Sequence, residues 1–202
     1  DGEAAYVVDT NLAGTVNCLE LARRYQAELV FLSTSRVYPY EALNTLPFLE
    51  TPTRFDWQLD RACTGVSAQG VAEDFPLEGV RTLYGATKLC AELLIREYVA
   101  VYAVRGVLNR GGGLTGPWQM GKVDQGVFTH WMLAHEFRKP LSYFGFGGSG
   151  KQVRDLLHVD DLVDLIEEQI TSPDHWAGQT FNVGGGREVS LSLLEATDIC
   201  AR

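Results

Sequence analysis

A tyrosine and a lysine four residues apart are the side chains of this sequence best suited to acid–base chemistry. Tyr84 and Lys88 lie in the segment YGATK, and a four-residue spacing places both on one face of a helix. A lysine ammonium beside a phenol favours the phenolate and lowers the pKa of the tyrosine. Such a tyrosine can take and return a hydroxyl proton near neutral pH. The alternative is a surface tyrosine that packs on the lysine stem.

Three consecutive hydroxyl residues end a short apolar run upstream of this pair. The run LVFLST, residues 29–34, predicts a strand that is buried in a parallel sheet. Ligands of α/β proteins bind at the carboxyl ends of such strands. We therefore expect Ser33, Thr34 and Ser35 to share a substrate hydroxyl with Tyr84. Capping of the strand end, which is common for Ser and Thr, is the alternative.

Helix and strand patterns alternate along the chain and must position these side chains. Helices are predicted over 11–26, 83–102, 123–138, 160–170 and 190–200, the first capped by Asp9 and Thr10 and the last by Ser190. Strands are predicted over 29–34, 104–109, 141–146, 152–159 and 180–183, and residues 39–82 predict a long, partly ordered loop. The alternation predicts an α/β fold with a parallel sheet.

The segment GFGGSGK, Gly145 to Lys151, matches the spacing of two phosphate-binding loops. Both loops need a helix directly after the glycines, because its first amides bind the phosphate. The next residues predict a strand, and Gln152 stands where a P-loop has Ser or Thr for magnesium. We therefore expect a glycine turn with positive φ between two strands, and no phosphate loop.

Composition limits the classes of partner. The net charge of −9 disfavours nucleic acid, because an acidic surface repels phosphate backbones. No apolar run is long enough to span a membrane and no signal-peptide pattern is found, so we expect a cytoplasmic protein without a membrane partner. The cysteines, at positions 18, 63, 90 and 200, show no C-x-x-C pattern, which predicts reduced thiols in or near a core and no metal site.

Six motifs in a fixed order resemble one family. They are NLAGTVNCLELAR, STSRVYP, YGATKLCAE, LTGPWQ, RDLLHVDDLVDLI and FNVGGG. Together they resemble the extended short-chain dehydrogenases/reductases, specifically the NAD-dependent sugar-nucleotide epimerase/dehydratase family, and most of all its CDP-tyvelose (CDP-paratose) 2-epimerase branch. The resemblance implies a partial Rossmann-like, doubly wound parallel sheet in residues 1–110. Part of a small C-terminal substrate-binding subdomain would follow in 111–202, with a strand that returns to the sheet near 180–184.

The resemblance also implies roles for residues around the tyrosine. Tyr84 would be the catalytic acid and base, and Lys88 would bind the nicotinamide ribose of NAD and tune Tyr84. Thr34 would bind the reacting sugar hydroxyl, with Ser35 beside it. Asn11 would hold the structure near the cofactor. No metal ion is implied.

Substrate-binding residues are implied in the second half of the chain. Arg154 resembles the family arginine that grips the nucleotide diphosphate, a task that suits a forked guanidinium. Its alternative is a structural pair with a neighbouring aspartate. Trp118 and Gln119 lie in the family's substrate loop and Gln125 follows, so these three would contact the sugar or the base, with plain packing as the alternative.

Departures from the family pattern favour an epimerase. Family dehydratases carry an Asp-Glu pair directly after the catalytic Thr, where this chain has Ser35 and Arg36. An epimerase needs neither acid, since it oxidises a ring carbon to a keto sugar and reduces it again from the other face. The alternatives are a 4-epimerase or reductase for another nucleotide sugar, or a non-catalytic family member that binds a nucleotide or a protein.

The family's Gly-rich cofactor loop and its acidic ribose ligand do not occur in these 202 residues. We therefore expect a fragment that exposes one side of its sheet and binds NAD poorly alone, so that activity belongs to a full-length form. Family members commonly dimerise through two long helices of each subunit. Here these are 11–26 and 83–102, which predicts a homodimer with a four-helix bundle.

Overall fold

The structure is a computed structural model and describes residues 3–58, 63–122 and 125–202. Its helical elements are α1 (Glu3–Val8), a π-helical turn (Asp9–Ala13), α2 (Gly14–Tyr25), a 3-10 turn (Ser35–Val37), α3 (Tyr40–Asn44), α4 (Leu83–Tyr102), α5 (Val127–Glu136), a 3-10 turn (Phe146–Gly148), α6 (Val159–Thr171), α7 (Pro173–Trp176) and α8 (Leu193–Cys200). Its strands are β1 (Leu29–Thr34), β2 (Phe48–Glu50), β3 (Phe55–Trp57), β4 (Val66–Ser67), β5 (Gly70–Val71), β6 (Gly106–Gly111), β7 (Gly113–Thr115), β8 (Val153–His158), β9 (Thr180–Val183) and β10 (Ser190–Ser192).

These elements form two compact units. Unit 1 contains the described residues up to Thr45 together with 72–111 and 163–183, and the remainder forms unit 2. The sequence predicts a division between residues 110 and 111, with a strand near 180–184 that returns to the first sheet. The pairing of β9 with β6 places 180–183 in unit 1, while residues 46–71 belong to unit 2.

A three-stranded parallel sheet lies at the centre of unit 1. Its strand order is β1-β6-β9. Leu19 of α2, Ile95 of α4 and Leu108 of β6 form a buried cluster against it. Full burial of an aliphatic side chain of this size stabilises a fold by about 1.5–3 kcal/mol. Parallel strands alternating with packed helices make this an α/β fold, as predicted.

Unit 2 is built from shorter strands. Its sheet has the order β10-β8-β7, with β7 parallel and β10 antiparallel to β8. Two small antiparallel pairs, β2-β3 and β4-β5, accompany it. The buried residues Phe128 and Trp131 of α5 pack on Leu193 and Ala196 of α8. These contacts form a core separate from that of unit 1.

Several predicted elements are confirmed. The helix over 83–102 and the strands over 29–34 and 180–183 have the predicted bounds. The helix predicted over 123–138 is observed as α5, although residues 123 and 124 lie outside the described residues. The segment 39–82, predicted as a loop, contains α3 and the short strands β2 to β5.

The prediction of a strand over 141–146 was wrong. The segment is irregular and leads into the 3-10 turn at Phe146–Gly148. Leu141 and Tyr143 pack on the core of unit 2 instead, and the Tyr143 ring stacks on Trp131 with 5.4 Å between the ring centroids. The apolar residues of this segment are therefore used for packing against α5 rather than for strand pairing.

The predicted beginnings of the first and last helices were also wrong. Helical structure begins at Glu3, so that Asp9 and Thr10 lie inside a π-helical turn and cap nothing. At the other end, Ser190 belongs to β10 and the cap of α8 is Ser192. Its Oγ accepts from the Glu195 amide at 3.0 Å, while Glu195 Oε2 accepts from the Ser192 amide at 2.9 Å. This reciprocal capping box fixes where α8 begins.

The glycine segment is a turn. Four of its glycines have φ between 69° and 73°, in the region that favours glycine: Gly145, Gly147, Gly148 and Gly150. Strand β8 follows the glycines directly, and the Gly150 carbonyl accepts from the Leu194 amide in the first turn of α8 at 2.9 Å. The lysine that completes the P-loop spacing, Lys151, forms an ion pair with Glu50 at 2.7 Å. The prediction that this segment is not followed by a helix is confirmed, although no strand precedes it.

Cys18 and Cys90 are exposed, while Cys63 and Cys200 are partly buried, and all four are free thiols. The prediction that all the cysteines lie in or near a core was therefore wrong for the two in α2 and α4. Over the ranges that the structure describes, no helix is both long enough and apolar enough to cross a membrane.

Candidate functional site

The first turn of α4 presents the tyrosine and lysine. Thr82 caps the helix by accepting from the Gly85 amide at 3.1 Å. Tyr84 is 39% exposed, and Lys88 is partly buried one turn later. Lys88 Nζ donates to the Leu32 carbonyl of β1 at 2.9 Å and lies 4.6 Å from the centroid of a β1 phenylalanine ring. Burial lowers the pKa of Lys88, because an apolar surrounding disfavours its charge.

A glycine allows α4 to approach the turn that follows β1. A Cβ atom at Gly85 would lie 2.1 Å from the carbonyl oxygen of Arg36, closer than any side chain tolerates. The residue next to Tyr84 is therefore in direct backbone contact with the turn that begins after Thr34. Thr34 is buried, and its Oγ1 accepts from the Arg36 amide at 3.2 Å. This contact is the capping role considered for the hydroxyl residues, and it leaves the Thr34 O–H able to donate.

The hydroxyls on either side of Thr34 differ in their surroundings. Ser33 is buried, and its Oγ donates to Glu92 Oε1 of α4 at 2.5 Å. Ser35 is exposed at the start of the 3-10 turn, and its carbonyl accepts from the Tyr38 amide. The structure therefore directs Ser33 into the interior and leaves Ser35 at the surface.

Asn11 supports α4 from the π-helical turn. Its Nδ2 donates to Thr87 Oγ1 at 3.0 Å, and Thr87 Oγ1 in turn donates to the Tyr84 carbonyl at 2.8 Å. Asn11 is thus connected to the backbone of Tyr84 through one hydroxyl. This arrangement places Asn11 with Thr34, Tyr84 and Lys88 in unit 1.

The predicted substrate-binding residues of the second half all lie in unit 2. Trp118 is 97% exposed and has a φ of 68°. The Gln119 side chain accepts from Thr129 Oγ1 at 2.6 Å and donates to a β7 carbonyl at 2.8 Å, which holds the loop to α5 and β7. Gln125 is exposed just before α5. Arg154 is exposed on β8, and its Nη1 donates to the preceding carbonyl at 2.8 Å.

Sequence reasoning missed a buried ion pair beside the site. Arg110 of β6 binds the Glu92 carboxylate with Nη2 2.7 Å from Oε2, and the exposed fractions of the two side chains are 0% and 1%. Burial disfavours the charged guanidinium, but the hydrogen bonds to Glu92 outweigh this and the pKa of Arg110 is raised. A signal for Glu92 was present, since it continues the four-residue spacing of Tyr84 and Lys88. Arg110 lies between Asn109 and three glycines, and nothing in that local sequence indicates its burial.

The geometry supports proton transfer to a ligand at the carboxyl end of β1. An exposed phenol, an ammonium one helical turn away and a hydroxyl donor at the strand end belong to elements that contact each other through Gly85. Within the part of the chain that the structure describes, no group of three or more His, Cys, Asp and Glu side chains could hold a metal ion.

A model of the NAD dependent epimerase/dehydratase family matches residues 2–184. The chain belongs to that family. It is 31% identical over 192 residues to the CDP-paratose 2-epimerase of Salmonella typhi, a match that covers 93% of this chain and 54% of the relative. It is 32% identical over 208 residues to the probable UDP-glucuronate 4-epimerase of Rhizobium meliloti, covering 94% of this chain and 52% of the relative.

A solved structure agrees with the fold of this family member. The dTDP-glucose 4,6-dehydratase of Bacillus anthracis, in complex with NAD, superposes with a TM-score of 0.69 at 25% identity and covers 96% of this chain and 51% of that one. The Rossmann-like α/β fold is therefore confirmed. The chain spans about half the length of the curated relatives that it matches.

The family uses NAD, and the residues present fit one end of that cofactor. Lys88 and Tyr84 supply an ammonium and a phenol at the carboxyl end of β1, where α/β folds bind nucleotides. Among the described residues, the glycine segment at 145–150 does not precede a helix, so it offers no site for the pyrophosphate.

Proposed function

We propose that the protein carrying this chain is an NAD-dependent nucleotide-sugar epimerase that resembles the CDP-tyvelose 2-epimerases. The observation that carries the proposal is the backbone contact at Gly85, which brings Tyr84 and Lys88 to the turn after Thr34. The similarity to the Salmonella typhi enzyme favours a 2-epimerase. The similarity to the probable UDP-glucuronate 4-epimerase supports a 4-epimerase as the second candidate.

The proposed reaction removes a hydroxyl proton and a hydride from one sugar carbon and returns both after the keto sugar has presented its other face. NAD, when bound, accepts and returns the hydride. Tyr84 takes the hydroxyl proton on its phenolate oxygen and gives it back, so the phenolate is regenerated in each cycle. Lys88 is proposed to bind the nicotinamide ribose. Thr34 donates a hydrogen bond to the reacting oxygen and orients it.

Binding of the substrate outside the reacting carbon is proposed for four side chains in the second half of the chain and for Ser35. Arg154 is proposed to bind the diphosphate, because a guanidinium pairs with two phosphate oxygens at once. Trp118, Gln119 and Gln125 are proposed to contact the sugar or the base. Gln119 would act through the loop shape that its internal hydrogen bonds maintain. Ser35 is proposed to contact the substrate from its exposed position.

Substitution of Tyr84 by Phe tests the enzyme function. The complete gene product that carries this chain is assayed with CDP-tyvelose and with UDP-glucuronate, and the epimer is detected by chromatography. Tyr84→Phe is expected to lose about 100-fold or more in kcat, the usual share of acid–base catalysis, while it still binds the nucleotide sugar. Turnover that persists in the variant would show that Tyr84 is not the base. A wild type that binds both sugars and converts neither would favour a binding protein.

The cofactor proposal has a binding test that needs no turnover. Calorimetric titration of the 202-residue chain with NAD is expected to show weak binding, because the described residues offer the ribose end of the site and no glycine loop before a helix. Lys88→Met should weaken that binding further. A tight complex that is unchanged in Lys88→Met would contradict the assignment of Lys88 to the nicotinamide ribose.

We also propose a homodimer through α2 and α4. Each helix exposes an apolar stripe at helical spacing, with Leu21 and Tyr25 beside Cys18 on α2, and Leu93 beside Cys90 on α4. Sedimentation should give a mass near twice that of the chain, and Leu93→Arg should give a monomer. Maleimide labelling of the two exposed thiols should slow as protein concentration rises. A monomer at all concentrations would contradict the proposal.

A further inference from the structure

Three neighbouring strands of unit 1 carry polar residues in one row near their carboxyl ends. Ser33 of β1 pairs in register with Arg110 of β6, and Arg110 pairs with Asn182 of β9. Glu92 of α4 lies over this row. It accepts from Ser33 Oγ at 2.5 Å and from Arg110 through both Nε and Nη2. A buried arginine in the central strand of a parallel sheet is unusual, because such strands are normally apolar on both faces.

Tyr38 extends this network beyond the turn that follows Thr34. Arg110 Nη1 donates to the Tyr38 hydroxyl at 2.9 Å, and Tyr38 OH donates to Asn182 Oδ1 at 2.7 Å. The guanidinium also lies 5.1 Å from the centroid of the Tyr38 ring. Tyr38 is 5% exposed, and burial raises the pKa of its phenol. The network therefore ties α4, β1, β6, β9 and the 3-10 turn together.

Stability does not explain such a network. Moving two charges out of water costs about as much as their attraction returns, and apolar residues of equal volume often serve a fold as well. A fully satisfied polar network does fix the relative positions of its members, since its bonds form in one arrangement. The positions fixed here are those of Thr34, which follows Ser33, and of the α4 face that carries Tyr84, Lys88 and Glu92 at successive turns.

We propose that Glu92, Arg110 and Tyr38 are positioning residues that hold Thr34 at a set distance from Tyr84 and Lys88. This inference rests on the proposed epimerase function. The three side chains touch neither substrate nor cofactor, and they act through Ser33 and the turn at 35–37.

An apolar replacement of the pair separates positioning from stability. The double variant Glu92→Leu/Arg110→Met in the complete gene product removes both charges and keeps the volume. It is expected to unfold within a few degrees of the wild type, to keep KM within about threefold, and to lose about 30-fold or more in kcat, since small misplacements of reacting groups cost factors of this size. Unchanged kcat in a folded double variant would overturn the proposal.

If the double variant does not fold, variants that each lack one hydroxyl group test the same proposal. Tyr38→Phe should lower kcat about 10-fold at constant KM, because one hydrogen bond of the network to a charged group is lost. The matched control is Tyr98→Phe, which removes a hydroxyl that donates to Glu20 at 2.8 Å elsewhere in unit 1 and should leave kcat unchanged. Equal kcat in the two variants would overturn the proposal.

Amide hydrogen exchange distinguishes failure of this inference from failure of the proposed function. The Arg36 amide donates to Thr34 Oγ1 and the Tyr38 amide to the Ser35 carbonyl. Both should exchange at least about 10-fold faster in Tyr38→Phe than in the wild type or in Tyr98→Phe, because local opening becomes easier. Faster exchange in a protein that shows no turnover would support the network and contradict the epimerase. Unchanged exchange would overturn the network whatever the activity.

Discussion

Two arginine–glutamate pairs, one taken from each unit, tie separate segments together and differ in their access to water. In unit 1, Arg110 and Glu92 are 2.7 Å apart and almost completely buried. In unit 2, Arg54 and Glu195 are 2.6 Å apart, and the exposed fractions of their side chains are 26% and 18%. The geometry of the contacts is similar, whereas the surroundings are not.

The difference in access to water gives the two pairs different roles. Burial would raise the pKa of Glu195, but hydrogen bonds from Arg54, the Ser192 amide and Thr53 lower it to about 2. Unit 2 therefore gains stability that depends on pH. In unit 1 both side chains of the pair are shielded from water, so loss of one partner leaves the other charge buried and unpaired. The buried pair is thus a constraint on position, and the accessible pair is a source of stability.

The largest effect is expected from breaking the buried pair on one side only. Glu92→Gln should lower the free energy of unfolding by about 3–5 kcal/mol, because the Arg110 charge remains buried without its carboxylate. Urea unfolding at neutral pH measures the change. The exposed pair of Glu20 and Arg23 provides the control, and Glu20→Gln should lower the free energy of unfolding far less than Glu92→Gln does. Equal losses of unfolding free energy in Glu92→Gln and Glu20→Gln would contradict the distinction between buried and accessible pairs.

A smaller, pH-dependent effect is expected in unit 2. Glu195→Gln should cost about 2–3 kcal/mol at pH 7, since the folded pKa of Glu195 lies well below the ordinary value of 4.5. A lowered carboxyl pKa stabilises the fold above pH 4.5, and this contribution disappears as pH falls towards 2. Glutamine still completes the capping box with Ser192, so the difference reports the charge.

Unfolding of wild type and Glu195→Gln is compared at pH 7 and pH 3. The difference in the free energy of unfolding between the two proteins should be markedly smaller at pH 3 than at pH 7. An equal difference in the free energy of unfolding at both pH values would show that the Glu195 carboxylate is not the source of the stability.

The smallest effect is expected at the contact between α4 and the turn after β1. Gly85→Ala places a methyl group against the Arg36 carbonyl and should cost about 1–3 kcal/mol, as other overpacked sites do. Gly14→Ala is the matched control, because Gly14 is helical and its Cβ would meet nothing closer than 4.0 Å. That variant should be more stable than the wild type by about 0.5–1 kcal/mol. Thermal unfolding of both variants checks the ranking, and a stable Gly85→Ala would contradict the close approach.

The sequence predicted those parts of the molecule that depend on local pattern. The periodicity of 83–102 is sufficient to define α4, and the spacing of Tyr84 and Lys88 shows that they share a face. The capping box of Ser192 and Glu195 was also readable, as a serine three residues before a glutamate, but Ser190 was chosen instead.

Other features depend on contacts between distant residues and could not be read from pattern. Arg110 lies between Asn109 and three glycines, and its burial depends on Glu92, which lies 18 residues earlier on α4 and packs over the sheet. The apolar residues of 141–146 have the composition of a strand, yet packing on Trp131 decides their conformation. In both cases the conformation depends on a contact with a residue that is distant in the sequence.

The bond between Lys88 and β1 has one further consequence. β1 forms an edge of its sheet, and the Leu29 amide donates to the Arg105 carbonyl on the β6 side, so by alternation the Leu32 carbonyl points to the open edge. Lys88 therefore occupies an acceptor that any additional strand would need for itself. A strand that docks there would displace the ammonium and make it available to a ligand. Addition of a strand at this edge and release of the Lys88 ammonium from Leu32 would then be coupled.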